Sequence, residues 1–170
     1  MIIAMYKKSS DNDHLASSCR EANTWCCKDG FVFLPRQEYL RIIEYLAGKP
    51  EAREEFDLRI YDHGDFLLYD QKTRCQFLDK DELCELHPLG VKPTECFWWP
   101  AHVYMTDDGE LEIRVSECCS GCKFITKGSN HLKVVEKQAR AIGLSVLRRF
   151  RIAHSYDVNY SVAKTIEDTK

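Results

Sequence analysis

Residues 75–100 read CQFLDKDELCELHPLGVKPTECFWWP, and the predicted fold depends on this stretch. It holds three cysteines, at positions 75, 84 and 96, among turn-forming residues that let the backbone fold inward. Gly90 and Pro93 interrupt any regular element between the last two of these cysteines. We therefore expect a loop-rich segment that brings its thiols towards a common point.

Six further cysteines lie outside this stretch, in a chain of 170 residues with nine cysteines in all. They are Cys19, Cys26, Cys27, Cys118, Cys119 and Cys122. The N-terminal sequence MIIAMYKKSS has too short an apolar run for a signal peptide or a membrane span, so we expect a cytoplasmic protein. Cytoplasmic reductants keep thiols reduced, and an odd number of cysteines cannot all form internal disulfides. The cysteines therefore favour metal or redox chemistry over a disulfide framework.

Length and composition predict one compact domain over residues 1–170, since 44% of the residues are hydrophobic and no repeat or long linker appears. We expect residues 1–18 and 155–170 to be peripheral, because neither end has a strong pattern. The formal net charge is −3, from 24 basic and 27 acidic residues. This balance gives no basic surface for nucleic acid or anionic lipid, so we predict no partner of either kind.

Short-range patterns predict the first elements of the fold. The run DGFVFLP, residues 29–35, is typical of a turn and a short strand, and its proline can open a helix. That helix should end at Gly48 and Pro50, and residues 51–57 should add one or two helical turns. Its apolar face is the stripe Tyr39, Ile42, Ile43 and Leu46.

Two hairpins and a long helix complete the predicted architecture. The segment LRIYDHGDFLLYD, residues 58–70, predicts a hairpin, and VYMTDDGELEIRVS, residues 103–116, predicts a second around its Asp-Gly turn. A helical pattern runs from about residue 130 to 150 and is weakened or broken at Gly143. The fold class is α+β, with small β hairpins flanked by two main helices and cysteine-bearing loops that converge on a metal centre.

The chemistry of thiols narrows the metals that such a site accepts. Cysteine thiolate suits zinc, copper(I) and iron–sulfur clusters, and a metal site needs several thiolates around one centre. The spacings here lack the two C-x-x-C knuckles of an ordinary zinc ribbon. Spacing therefore leaves the identity of the metal open.

Three blocks of sequence resemble the YkgJ-type family of zinc- or iron-chelating domains, which is named for its C-x-x-C-x-x-C-C motif. The first is Cys19 followed by Cys26-Cys27 and KDGFVFLPRQEYLRIIEYL, and the second, the most specific, is residues 75–100. The third is CSGC, residues 119–122, which is similar to the closing C-P-G segment of the family. The resemblance implies seven metal-ligand candidates: Cys19, Cys26, Cys27, Cys75, Cys84, Cys96 and Cys119.

One departure from the family pattern adds two more candidates. The family's second cysteine would fall near Ala22 or Asn23, where this chain has none. Cys118 and Cys122 have no family counterpart and are candidates to supply the missing sulfur, so all nine cysteines are candidate ligands. We favour an iron–sulfur cluster over zinc as the cofactor because of the number of sulfurs and a second, more distant likeness.

That second likeness is to the flagellin lysine N-methylase family, which is associated with an iron–sulfur cluster. It implies an alternative function, a metal-dependent enzyme that modifies a peptide or protein side chain. No G-x-G-x-x-G turn occurs in the sequence, so the metal centre itself would have to do the chemistry. A less favoured alternative is a thiol redox module in which Cys119 and Cys122 form a reversible disulfide.

Several other residues can be interpreted either as structural or as functional. His87 lies three residues after Cys84 and is a minor candidate ligand, whereas His63 and His102 are predicted to be surface or supporting groups. The FWWP segment, residues 97–100, is predicted to be core rather than an interaction patch. The acidic run Asp79, Asp81 and Glu82 is predicted to be a solvated hairpin tip rather than a calcium loop.

Overall fold

A computed structural model describes residues 25–28, 30–117, 120–126, 128–153 and 160–168. The predicted lead-in of residues 1–18 lies outside this range, as do Cys19, Cys118 and Cys119. The described residues form six strands, β1 Phe31–Pro35, β2 Ile60–Asp62, β3 Phe66–Asp70, β4 Ala101–Met105, β5 Leu111–Ser116 and β6 Tyr160–Ile166. They form five α-helices, α1 Arg36–Tyr45, α2 Pro50–Asp57, α3 Thr94–Trp98, α4 Asn130–Ile142 and α5 Leu144–Ala153. Two short 3₁₀ helices lie at Trp25–Cys27 and Ser120–Phe124.

The strands form two antiparallel three-stranded sheets, in the orders β1-β3-β2 and β4-β5-β6. Both predicted hairpins are confirmed, since β2 pairs with β3 and β4 pairs with β5. Each hairpin gains a third strand from elsewhere in the chain. The predicted α+β class is therefore confirmed.

Strands β1 and β3 of the first sheet are buried on both faces, which explains why they are continuous apolar runs, whereas the edge strand β2 is largely exposed. One face lies in a large cluster, built with the second sheet, α4 and α5, whose members include Phe33, Leu68, Trp98, Ile113 and Phe150. The other face lies in a small cluster with α1 and α2, whose members include Leu34, Ile42, Phe56, Tyr69, Phe77 and Leu86. Strand β1 is the boundary between the two clusters.

The helices agree with the patterns that predicted them. Ile42 and Leu46 of the α1 stripe are buried, and Tyr39 and Ile43 pack at the edge of the small cluster. The break predicted at Gly143 separates α4 from α5, because this glycine has a φ of 107° that other residues rarely adopt. Of the FWWP segment, Trp98 and Pro100 are buried, as predicted, whereas Phe97 and Trp99 are only partly buried.

The C-terminal region differs from the expectation that residues 155–170 are peripheral. Tyr160–Ile166 is a strand that pairs with β5, and Ile166 is fully buried in the large cluster. The sequence YSVAKTI holds four residues that favour strands, but only its last residue is buried, so it lacks the apolar alternation that marks a half-buried strand. Its partner strand supplies the hydrogen bonds that hold it. Within the described part of the chain, no helix has the length and apolarity needed to cross a bilayer.

Candidate metal centre

Antiparallel pairing of β1 with β3 brings Cys27 close to Cys75. Cys27 lies just before β1 and Cys75 lies just after β3, and Phe31 at the start of β1 is paired with Asp70 at the end of β3. Pairing continues beyond the strands, because the Cys75 N–H donates to the Cys27 carbonyl oxygen at 2.7 Å. Two cysteines 48 positions apart therefore lie on neighbouring backbone because of strand register.

Cys75 and Cys84 begin two matching turns. The Cys75 carbonyl accepts the Leu78 N–H at 3.2 Å, and the Cys84 carbonyl accepts the His87 N–H at 3.1 Å. An antiparallel bridge between Leu78 and Cys84 holds the turns side by side. The acidic residues between them form the tip, as predicted, where the Asp79 carboxylate accepts the N–H groups of Asp81 and Leu83.

The residue two places after each of these cysteines packs its side chain into the core and directs its backbone N–H towards the cysteine sulfur. Phe77 and Leu86 are buried in the small cluster, at 4% and 1% exposure. Their backbone N–H groups donate to the sulfur atoms of Cys75 and Cys84, and each of these hydrogen bonds lowers the pKa of the thiol that accepts it. The turns thus present N–H donors that stabilise a thiolate, the form of cysteine that binds metals.

Cys96 lies on the short helix α3. Two buried carboxylates, one from another helix and one from α3 itself, hold this helix in place. The Glu38 carboxylate of α1 accepts the backbone N–H of Thr94 at 2.8 Å and also accepts its hydroxyl. The Glu95 carboxylate accepts the Phe33 N–H of β1 at 2.5 Å. These contacts fix the helix against the first sheet and therefore fix the backbone that carries Cys96.

Four sulfur atoms share one electrostatic environment. Burial raises the pKa of the Cys75 thiol to about 12, and the charges of Cys27 and Cys84 raise it further. Burial also raises the pKa of Cys84, and Cys27 adds to that rise. Burial raises the pKa of Cys96 well above its ordinary value, and the charges of the other three thiols act in the same direction. The charges of these four thiols act on one another, and we call Cys27, Cys75, Cys84 and Cys96 the four-cysteine group.

Cys27 differs from the other three because its thiol ionises more easily. Its sulfur lies 4.0 Å from the Cys26 sulfur, and the hydrogen bond between them lowers the pKa of Cys27 to about 7 against the opposing effect of burial. The charge of Lys92 contributes to this lowering. The group thus combines one thiol whose pKa is lowered with three thiols whose pKa values are raised by burial.

Tyr69 of β3 supports the group from inside the small cluster. Its hydroxyl donates to the Cys75 sulfur at 3.8 Å and accepts the Gln76 N–H at 3.2 Å. Tyr69 is almost fully buried, so this hydroxyl ties the cysteine-bearing turn to the core.

The donor set of the four-cysteine group fits a metal that prefers sulfur. Four thiols match the ligand number of tetrahedral zinc and of the common iron–sulfur clusters. Among the residues that the structure describes, no three His, Cys, Asp or Glu side chains stand in a ready-made metal-binding arrangement. The backbones are therefore brought together while the sulfur atoms do not converge at ligand distances.

The remaining cysteine candidates lie elsewhere. Cys26 contacts Cys27, and Cys122 packs against the large cluster on the 3₁₀ helix Ser120–Phe124. Cys19, Cys118 and Cys119 fall outside the described residues. That Cys26 and Cys122 are ligands stays a prediction, as does the disulfide between Cys119 and Cys122.

The three histidines considered in the sequence lie in different settings. His87 packs against the ring of Phe97, with 5.5 Å between ring centroids, and burial lowers its pKa. His63 stacks on Phe66 in the β2–β3 turn, and the Nδ1 atom of His102 lies 3.3 Å from the Glu95 carboxylate. Sequence reasoning missed Tyr69, which contacts Cys75, and Glu38, which holds Thr94 at the start of the helix that carries Cys96. A local signal exists only for the turns, where a cysteine is twice followed two places on by a large apolar residue.

Comparison of the chain with models of known protein families, with curated proteins and with solved structures found no match.

Proposed function

We propose that this protein is a cysteine-ligated metal-binding protein in which Cys27, Cys75, Cys84 and Cys96 hold an iron–sulfur cluster or a zinc ion. The observation that carries the proposal is that Cys75, Cys84 and Cys96 all pack against the small cluster, while the backbone of Cys27 is hydrogen-bonded to that of Cys75. A cytoplasmic location is part of the proposal, since thiols stay reduced there and remain available as ligands. We also propose that the chain is related to the YkgJ-type family, which its cysteine-containing blocks resemble.

The physical argument for a metal is that four clustered thiols interact with one another only weakly or unfavourably unless a metal binds them. Ionised thiols would repel one another, and protonated thiols are weak hydrogen-bonding groups. Two of the sulfurs nevertheless accept backbone N–H groups, an arrangement that favours negative charge on sulfur. A bound cation resolves this conflict by making the thiolate form the stable one.

The test is anaerobic purification of the whole chain, followed by measurement of iron, zinc and acid-labile sulfide per chain. Stoichiometric iron with sulfide and visible absorption identifies a cluster, and colourless protein with stoichiometric zinc identifies a zinc site. Protein that contains neither metal nor sulfide, and that binds neither on reconstitution, contradicts the proposal.

A pair of variants tests which cysteines are ligands. Cys84→Ser removes a thiol of the four-cysteine group and should abolish stoichiometric metal. The proposed ligand set leaves out Cys122, whose thiol packs against the large cluster, so Cys122→Ser should keep the metal content of the wild type. Loss of metal in this variant would instead support Cys122 as a ligand. Equal metal content in both variants would reject the assigned ligand set.

An enzyme that modifies a peptide or protein stays an alternative prediction. Its test is turnover of a candidate peptide that is lost when the metal is removed and restored when the metal is returned.

A further inference from the structure

Cys26 and Cys27 are adjacent in the 3₁₀ helix Trp25–Cys27, which lies ahead of β1. In an extended chain, successive side chains point to opposite sides, so adjacent cysteines keep their sulfur atoms apart. A 3₁₀ helix has about three residues per turn, which turns neighbouring side chains closer to each other than they are in a strand. The Sγ atoms of Cys26 and Cys27 lie 4.0 Å apart, within hydrogen-bonding distance for sulfur. The local helix therefore makes these two residues a dithiol, which we call the vicinal pair.

The vicinal pair is open to small reagents. Both residues are thiols rather than disulfides, and both are partly exposed. Exposed thiols are the ones that small oxidants reach most readily. Cys27 is joined to the first sheet through its backbone, since its carbonyl oxygen accepts the Cys75 N–H at 2.7 Å. Rotation of the two cysteine side chains leaves that hydrogen bond in place, so the sulfur atoms can approach each other without loss of the backbone contact.

A disulfide between adjacent residues is strained by the length of the chain that joins them. The Cα atoms of adjacent residues lie about 3.8 Å apart, closer than the roughly 4.4–6.8 Å found in most disulfides. Strain of this kind makes a disulfide easier to reduce, and such disulfides are the labile and regulatory ones. The vicinal pair is therefore suited to reversible oxidation rather than to permanent cross-linking.

We propose that Cys26 and Cys27 form a redox-active dithiol that a low-molecular-weight disulfide oxidises to a vicinal disulfide. In the first step, the thiolate of one cysteine attacks the small disulfide, forms a mixed disulfide and releases one small thiol. In the second step, the other cysteine of the pair attacks the mixed disulfide and releases the second small thiol. The pair loses two electrons and two protons, which end on the two small thiols. The second step is intramolecular and is favoured by the closeness of the two sulfur atoms.

This inference does not rest on the proposed metal centre, because it needs only the two adjacent sulfur atoms. It also concerns a different pair from Cys119 and Cys122, the redox alternative that the sequence suggests. The two proposals meet at Cys27, whose sulfur is a proposed ligand. A vicinal disulfide and a metal bound at Cys27 exclude each other, because the metal binds the thiolate form of cysteine.

The test treats the full chain with glutathione disulfide at neutral pH, in one sample as purified anaerobically and in another after incubation with a chelator. After alkylation of the remaining thiols, trypsin releases residues 21–28, EANTWCCK, a peptide that holds both members of the pair and no other cysteine. Mass spectrometry of this peptide measures the oxidation state of the pair. Circular dichroism before and after treatment verifies that the fold is retained.

The expected result is that the peptide loses two hydrogens and takes up no alkyl group in the chelator-treated sample, and that dithiothreitol reverses both changes. Cys26→Ser and Cys27→Ser should each stop at the mixed disulfide, with glutathione attached to the remaining cysteine, because the second sulfur of the pair is missing. Cys122→Ser is the control, because that thiol packs against the large cluster, and its peptide should oxidise like that of the wild type.

Three results would overturn the inference. A peptide that keeps both thiols in both samples shows that the pair is not redox-active. A stable mixed disulfide in the wild type shows that the two sulfurs do not react with each other. A disulfide from Cys27 to Cys75, whose backbones are also neighbours, or to any other cysteine shows that the adjacent sulfur is not the partner. Each of these results leaves the metal centre standing, since the metal and sulfide measurements test that centre separately.

Discussion

At the scale of single residues, the setting of each sulfur depends on neighbours that contribute one hydrogen bond each. Phe77 and Leu86 bury their side chains and direct an N–H towards a sulfur atom. Tyr69 contributes a hydroxyl that joins Cys75 to the backbone of Gln76. Such groups are costly to lose, because a buried donor or acceptor without a partner is strongly destabilising.

Tyr69→Phe should lower the free energy of unfolding by about 1–3 kcal/mol, because the Gln76 N–H loses its acceptor in a part-buried site. Urea denaturation of both proteins in the same metal state measures the difference. Tyr45→Phe is the control, since the Tyr45 hydroxyl donates to Glu85 in an exposed position. The control should change the free energy by no more than about 0.5 kcal/mol. Equal effects of the two substitutions would show that the Tyr69 hydroxyl has no special role.

At the scale of elements, α3 depends on tertiary contacts because its five residues are far too few to be helical alone. Glu38 binds the N–H and hydroxyl of Thr94 at the first turn of this helix, and Glu95 joins the helix to β1. The position of Cys96 therefore depends on a carboxylate from α1, about 60 residues earlier in the chain.

Glu38→Gln should destabilise the protein by about 1–3 kcal/mol at pH 5, because the amide keeps one acceptor oxygen and turns an NH₂ group towards the other Thr94 donor. Urea denaturation measures this change. Glu44→Gln is the control, since Glu44 is on the exposed side of the same helix. A loss as large in the control would contradict a special role for Glu38.

The effect of Glu38→Gln should also depend on pH. Burial raises the pKa of Glu38, against the opposing effects of the Thr94 hydrogen bonds and of Arg41, and the charge of Glu95 raises it further. Because the folded state holds this proton more tightly than the unfolded state, wild-type stability from this group falls as pH rises through the folded pKa. Glutamine does not titrate, so the advantage of the wild type should shrink between pH 5 and pH 8. An advantage that grows over that range would contradict the prediction.

At the scale of the whole molecule, a buried ion pair joins the two sheets at their outer strands. Glu95 accepts an N–H from β1, and the Arg151 guanidinium of α5 donates to the Val103 carbonyl of β4 at 2.5 Å. The two side chains are each 3% exposed and approach each other to 4.0 Å. The pair lies next to Cys96 in the chain, so the junction of the sheets and the four-cysteine group share α3.

Arg151→Met should destabilise the protein by about 3 kcal/mol, because the buried Glu95 carboxylate loses the arginine charge and keeps only its contact with His102, and the Val103 carbonyl loses its donor. Thermal and urea denaturation measure the loss. Arg149→Met, two positions earlier on α5, removes the same charge from an exposed pair with Asp65. Its cost should be under about 1 kcal/mol, and similar costs for the two variants would rule out a stabilising role for the buried pair.

Metal removal should loosen the small cluster more than the large one, because the proposed ligands lie beside the small cluster. Ligation from Cys27 to Cys96 closes long loops, and their release raises the entropy of the opened state. Hydrogen exchange of loaded and metal-free protein measures this by region. Amides of α1 and of the turns after Cys75 and Cys84 should exchange faster, while those of β4 and β5 change less. A uniform acceleration over both clusters would contradict a local role for the metal.

Much of the secondary structure could be predicted because it depends on short-range patterns. Asp108-Gly109 supplies the turn of one hairpin, and Gly143 separates two helices because of its backbone freedom. Tyr160–Ile166 escaped prediction because it lacks an apolar alternation and is held as a strand by pairing with β5. The acceptors of buried backbone groups, such as Glu95 for Phe33, were likewise invisible in the sequence.

The sequence by itself determined the kind of chemistry, through the density of cysteines between residues 75 and 100, and the types of most elements. Only the tertiary structure decided that the Cys27 backbone lies beside that of Cys75, that Cys75, Cys84 and Cys96 pack against the small cluster, and that Cys122 packs against the large one. The physical reason is that the two kinds of interaction act over different distances along the chain. Backbone preferences act within a turn or two, whereas the meeting of distant thiols depends on strand register and on buried contacts between elements far apart in the chain.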